Sequence, residues 1–215
     1  MFVRDRMNAN PVTVTRDLPF QEALQLMREN KVRRLPVVDK KGRLVGIVSE
    51  RDLLYASPSP ASSLSVWELQ YLLSKIDVGE LMTKNVVSVS PNTPIEDAAR
   101  LMVDNRIGGL PVIDDSRQVV GVITETDIFK TFVEMFGGGE SGVRLALKVP
   151  ERKGVLAALS QAILDLGGNI VSVGSFGYQT PGERELVVKV QGVSQAELVD
   201  TLESLGDHVV DAREV

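Results

Sequence analysis

The sequence predicts an α+β protein: two copies of a β-α-β-β-α unit packed with pseudo-two-fold symmetry, then a separate ferredoxin-like β-α-β-β-α-β domain. Three observations carry this. Sliding the chain by 75 positions aligns Val3–Leu54 with Val78–Phe129 without a gap, and 18 of the 52 pairs are identical, which marks a duplication. The run GGGESG at 137–142 reads as a flexible joint. Beyond it, the alternation of apolar runs has no counterpart in the repeats.

Within each copy the elements follow in order. A short extended piece (Val12-Thr13-Val14, Val87-Ser88-Val89) leads to a helix beginning near Pro19 or Pro94, since proline suits a first helical turn. In the second copy Thr93 and Glu96 have the spacing of a capping box. The apolar positions Ala98, Leu101 and Met102 are helical in period. The helix stops before LPVVD (35–39) or LPVID (110–114), whose proline disfavours helix in the residue before it. A turn at Asp39–Gly42 or Asp114–Arg117 joins this strand to LVGIV or VVGVI, and a second helix starts at Ser49 or Thr124. A single unit of this size buries too little apolar surface to be secure alone, so the copies are expected to pack together.

Between the copies, SPSPASS (57–63) reads as a turn-prone linker into a helix from about Val66 to Lys75, with Ser65 and Glu68 as its capping box. Trp67 on that helix suits packing against a domain surface, with ligand stacking as the alternative. The tail parses as strand VRLALKV, helix Gly154–Leu166, strand NIVSVGSF, a turn at Pro181-Gly182, strand ELVVKV, helix Ser194–Leu205 and strand DHVVDAREV, which is the ferredoxin-like order. The expected division is 1–56, 57–77, 78–136, 137–142 and 143–215.

Composition narrows the function. A net charge of −5 and a pI near 5.1 speak against a nucleic-acid surface. The chain has no cysteine, which removes thiol nucleophiles, disulfides and zinc–thiolate sites and suits a reducing compartment. No apolar run approaches the ~18 residues of a membrane span, and MFVRDRM does not open a signal peptide, so a cytoplasmic protein is expected. The lone histidine, His208, reads as structural, and the chain lacks HExxH, Walker A and GxSxG patterns. Neither a catalytic centre nor a metal site is expected.

The most informative stretch occurs twice: GIVSERD at 46–52 and GVITETD at 121–127. A hydroxyl followed three residues later by an acid, at a strand-to-helix junction, is a capping box, and the glycine marks close backbone packing. The same geometry offers a hydroxyl to a phosphate and a carboxylate to ribose hydroxyls. Lys31, Arg33, Arg34, Arg43, Arg51 and Arg106 can balance phosphate charge or serve as ordinary surface cations.

These motifs resemble a pair of cystathionine-β-synthase (CBS) domains, a Bateman module, over residues 3–130. Residues 143–215 resemble an ACT domain, with PERKGVL at the first strand-to-helix turn and GGNIVSV opening the second strand. The order is similar to the acetoin-utilisation regulatory protein family. The resemblance implies binding of AMP, ATP or a related adenosyl compound, with Ser49 and Asp52 in one cleft, Thr124 and Asp127 in the other, and Thr13, Val14, Ser88 and Val89 by the base. It implies an amino-acid site near Gly154 and Asn169, although Glu151 and Lys153 replace the family's usual Asp and Pro. It also implies a homodimer that acts on an unidentified regulated protein. A ligand-free scaffold that dimerises through both modules is the alternative.

Overall fold

Chain packing divides the computed structural model into two units, Met1–Ile128 and Phe129–Val215. Residues 1–56, 65, 75–177 and 182–215 are described; the linker 57–63, most of the expected 66–75 helix including Trp67 and Glu68, and Pro181 lie outside them.

The first copy contains β1 (Val14–Thr15), α1 (Phe20–Glu29), β2 (Arg34–Val38), β3 (Leu44–Ser49) and α2 (Glu50–Ala56). After the four-residue helix α3 (Val78–Leu81), the second contains α4 (Ile95–Asn105), β4 (Gly109–Ile113), β5 (Val119–Thr124) and α5 (Glu125–Met135). In each copy two antiparallel strands pair, with Val37 opposite Gly46 and Val112 opposite Gly121. Each ladder shifts register at its end, where Asp39 or Asp114 turns the chain by accepting backbone N–H bonds. A third, short parallel partner adds Val14 beside Val37 and Val89 beside Val112.

The helix starts agree with the proline reading, because Pro19 and Pro94 are the residues before α1 and α4. The expected box at Thr93 does not form. Its Oγ1 instead accepts from Ser90 N at 3.1 Å, spending the hydroxyl in the preceding turn. No side-chain hydrogen bond caps the start of α4.

Symmetry appears in how the copies exchange segments. Asn8 bridges Val122, while Thr83 bridges Ile47; adding 75 to one member and subtracting it from the other converts the first pair into the second. Phe2 with Pro94 and Asp77 with Pro19 obey the same rule, and Arg43 meets its own equivalent, Gln118. The segment that opens each copy therefore crosses to the other one. Val3 is buried with Ile95, Met102 and Ile123 of the second copy, whereas Val78 and Met82 are buried with Phe20, Met27 and Val48 of the first.

This crossing explains the heptapeptide's glycines. A Cβ on Gly46 would lie 2.4 Å from Met82 Sδ, and one on Gly121 would lie 2.6 Å from Met7 Sδ. A side chain at either position would force the exchanged methionine to move and would crowd the carbonyl of the residue after it, Thr83 O at 3.2 Å or Asn8 O at 3.0 Å.

The second unit has β6 (Val143–Pro150), α6 (Val155–Asp165), β7 (Asn169–Phe176), β8 (Glu183–Gln191), α7 (Gln195–Ser204) and β9 (His208–Glu214). Its antiparallel sheet has the order β7-β8-β6-β9. Alternate residues Val143, Leu145, Leu147 and Val149 are buried with Leu159 and Ile163 of α6 and Leu198 and Leu202 of α7. The glycine-rich run is not an open joint: Lys189 Nζ donates to Gly137 O at 2.8 Å and to Glu140 O, and Gln191 Nε2 donates to Ser141 O at 2.7 Å. Gly142 and Val215 exchange both backbone bonds.

Candidate functional site

Two clefts lie within the first unit, one at each repeated heptapeptide. The first has a volume of about 400 Å³ and combines Ser49, Glu50, Arg51 and Asp52 with Thr83, Val87 and Arg106 of the second copy. The second, about 310 Å³, combines Thr124, Glu125, Thr126 and Asp127 with Asn8, Val12 and Lys31 of the first copy. Each of these pairs differs by 75 in number, so the clefts are pseudo-symmetric equivalents, each built by both copies.

The hydroxyl and carboxylate of each motif are joined directly. Ser49 N and Oγ donate to Asp52 Oδ2 at 2.9 and 2.7 Å. Thr124 N and Oγ1 donate to Asp127 Oδ2 at 2.8 and 2.7 Å. The capping reading of the heptapeptide is thereby realised. All four residues are half-buried and line the clefts. For the hydroxyl to donate to a bound phosphate it must turn away from its aspartate.

Cations surround these groups. Arg33 and Arg34 line both clefts, Arg51 and Arg106 only the first, and Lys31 only the second. Among the described residues the guanidinium groups of Arg33 and Arg106 have no hydrogen bond or ion pair. Burial, with Arg33 adding to it, lowers the pKa of Arg34 from its ordinary value, while Glu125 and Asp52 act in the opposite sense. Arg43 instead pairs with Asp39 at 2.7 Å, outside both linings.

Thr13, Val14, Ser88 and Val89 line neither cleft. Val14 and Val89 are each 5% exposed. Val89 spends its N–H on Pro111 O and its carbonyl on Ile113 N, leaving no backbone pair to read a base edge. Val12, Val86 and Val87, one to three residues earlier, face the clefts instead. Thr83 and Asn8 were missed; their position directly after the exchanged methionine plus the 75-residue offset identifies them as a pair.

In the second unit, a depression of about 430 Å³ is lined by Glu151, Arg152, Lys153, Gly154 and Arg184. Gly154 caps α6 with a φ of 89°. Asn169 is exposed at the start of β7 and does not line the depression, so the two residues proposed for an amino-acid ligand are not brought together there. Among the described residues no group of acidic residues or histidine is arranged to hold a metal ion, and no helix is long and apolar enough to cross a membrane.

Comparison with known proteins gives these clefts a context. The CBS domain model matches residues 3–59 and 78–134, and the TTHA0829-like ACT domain model matches 141–213. The CBS domain pair of protein MJ0100, solved in complex with 5-methylthioadenosine and S-adenosyl-L-methionine, is 30% identical with a TM-score of 0.53 over 65% of this chain and 98% of that one. CBSX2 of Arabidopsis thaliana, solved with AMP, is 36% identical with a TM-score of 0.51 over 61% of this chain and 96% of that one. A Vibrio cholerae protein assigned by name to acetoin utilization (AcuB) is 32% identical with a TM-score of 0.52 over 62% of this chain and 90% of that one. Several curated relatives are enzymes in which the matched segment makes up only 23% to 32% of the length. With two copies of the motif, two equivalent clefts and a matching second unit, the chain belongs to the CBS domain family, as a tandem CBS pair followed by an ACT-like domain.

Proposed function

We propose that this protein is a non-catalytic regulatory sensor that binds an adenosine nucleotide or adenosyl compound in the clefts of its CBS pair and passes its state to the ACT domain or to a partner protein. One observation carries the reading: each cleft places a hydroxyl–aspartate pair beside basic side chains, with apolar Val12 or Val86 and Val87 opposite. An adenosyl ligand has the complementary parts, an apolar base, a ribose diol and, in nucleotides, an anionic phosphate. The adenosyl complexes of MJ0100 and CBSX2 support the choice of ligand. The energy available for signalling is the ligand's differential affinity for two arrangements of the copies.

In this reading the protein is a cytoplasmic homodimer divided at 1–56, 57–77, 78–136, 137–142 and 143–215, and the AcuB likeness supports a place in acetoin utilisation. Isothermal titration with AMP, ATP and S-adenosylmethionine tests it, with Asp52→Ala/Asp127→Ala as control. Saturable binding that the double variant loses is the expected result, and Asp127→Ala alone costs ~1.5–3 kcal/mol of affinity at its cleft. Bound ligand also raises the melting temperature. A second reading, a ligand-free scaffold, draws on the internal pairing of Ser49 with Asp52 and Thr124 with Asp127. No heat and no thermal shift with any of the three compounds would favour it.

A further inference from the structure

The two clefts are equivalent in backbone but not in charge. Positions 33 and 34 are arginines, and their equivalents 108 and 109 are glycines; Arg51 is matched by Thr126. The missing side chains at 108 and 109 leave space that Arg34 occupies. Its Nη1 donates to Gly108 O at 3.1 Å. A Cβ on Gly108 would lie 2.7 Å from Arg34 Nη2 and 2.7 Å from Glu125 Oε2, so glycine there is what allows the guanidinium to approach the second cleft's acid. Arg34 lines both clefts, and its charge interacts with Asp52 of the first and Glu125 of the second.

Resting on the adenosyl reading of these clefts, we infer that Arg34 is a shared phosphate-balancing residue that makes the clefts unequal and couples them negatively for phosphate-bearing ligands. The first adenylate enters the Ser49/Asp52 cleft, where Arg51 adds a positive charge that Thr126 does not match, Arg106 being balanced by Lys31 in the second cleft. Its phosphate draws on Arg34, so a second phosphate meets a weakened positive field and the like charge of the first. An uncharged adenosine compound makes no claim on Arg34 and fills either cleft independently of the other.

The test is titration of the full chain with AMP and, separately, with adenosine. AMP is expected to bind in two steps, the second weaker by a coupling factor of about 5 to 150. Asp52→Ala, which disables the first cleft, tightens AMP binding at the second to its uncoupled value. Arg34→Met weakens both steps and brings them together, whereas Arg34→Lys, which retains the charge, keeps part of the separation. Melting curves verify that the variants fold, and the wild-type comparison of AMP with adenosine decides without them. Two AMP steps whose second affinity equals that in Asp52→Ala, or an adenosine separation as large as that for AMP, overturns the coupling and leaves the adenosyl reading standing. Absence of AMP binding to the wild-type chain overturns the coupling, and absence of binding by AMP, ATP and S-adenosylmethionine alike overturns the adenosyl reading with it.

Discussion

Replacing Asp52 with alanine separates the motif's structural role from its binding role. Asp52 Oδ2 accepts from Ser49 N at 2.9 Å and Ser49 Oγ at 2.7 Å, and Asp52 N donates weakly to Ser49 Oγ at 3.3 Å. A bond to a charged group contributes ~1.5–3 kcal/mol when its partner is left without a substitute. Here both residues are half-buried and water replaces part of the loss, which brings the cost toward the ~0.5–2 kcal/mol typical of a lost helix cap. We expect Asp52→Ala to cost ~1–2 kcal/mol. Ser49→Ala costs less, because the carboxylate keeps the Ser49 backbone N–H. Both substitutions remove the same Oγ–Oδ2 bond, so the double variant falls short of their sum by ~0.5–1 kcal/mol. Urea unfolding of the four chains, followed by circular dichroism, measures all these quantities, and each kcal/mol corresponds to ~2–4 °C in melting temperature for a chain of this size. An unchanged Asp52→Ala midpoint, or strict additivity, would show that the hydroxyl and carboxylate do not pair in solution.

Gly121→Ala pushes a methyl group to 2.6 Å from Met7 Sδ and 3.0 Å from Asn8 O, and is expected to cost ~1–3 kcal/mol by urea unfolding, part of which Met7→Ala restores; an unaltered midpoint would refute the close crossing. Lys189→Met removes the donor to Gly137 O and Glu140 O, and hydrogen exchange should accelerate at the amides of residues 137–142 while those of β6 stay protected. Asp207 is 7% exposed, and burial raises its pKa above the ordinary 3.8 against the opposing charge of Arg152. The folded state therefore holds that proton more tightly than the unfolded chain, and this contribution to stability is lost as pH rises from about 3.8 through the folded value. Asp207→Asn should raise the melting temperature at pH 7 and leave it nearly unchanged at pH 3; a gain of equal size at both pH values would exclude titration of Asp207 as the cause.

Much of this organisation was legible because local chemistry was repeated. Two copies of Ser or Thr with an acid three residues later identify a cap, and the structure forms both pairs. Glycine at 46 and 121 signalled close packing, but the partner was hidden, since nothing local in Val3–Met7 or Val78–Met82 says which copy their apolar side chains enter. Which base-side residues line the clefts was not legible because Val12-Thr13-Val14 alternates, and only the sheet pairing of Val14 shows which members turn to the core. Residues 137–142 read as a joint because the lysine that fastens them lies about fifty residues away, within an ordinary strand pattern. The contrast of Arg33-Arg34 with Gly108-Gly109 was visible in the repeat alignment, yet its meaning needed the space that those glycines leave.

The exchanged crossings are equal in space and unequal along the chain. Thr83 reaches Ile47 across 36 positions, whereas Asn8 reaches Val122 across 114. By loop-closure entropy the longer connection costs ~1 kcal/mol more to close from the open chain. A fold with two matching halves thus acquires an order of assembly: the first copy can receive its methionine, Met82, as soon as the second begins to form, while Met7 must wait until the strand holding Gly121 exists. During synthesis from the N-terminus, the segment around Val3 leaves the ribosome about 86 to 120 residues before the side chains that seat it, Val89 to Ile123, and for that interval it is open to capture by another copy.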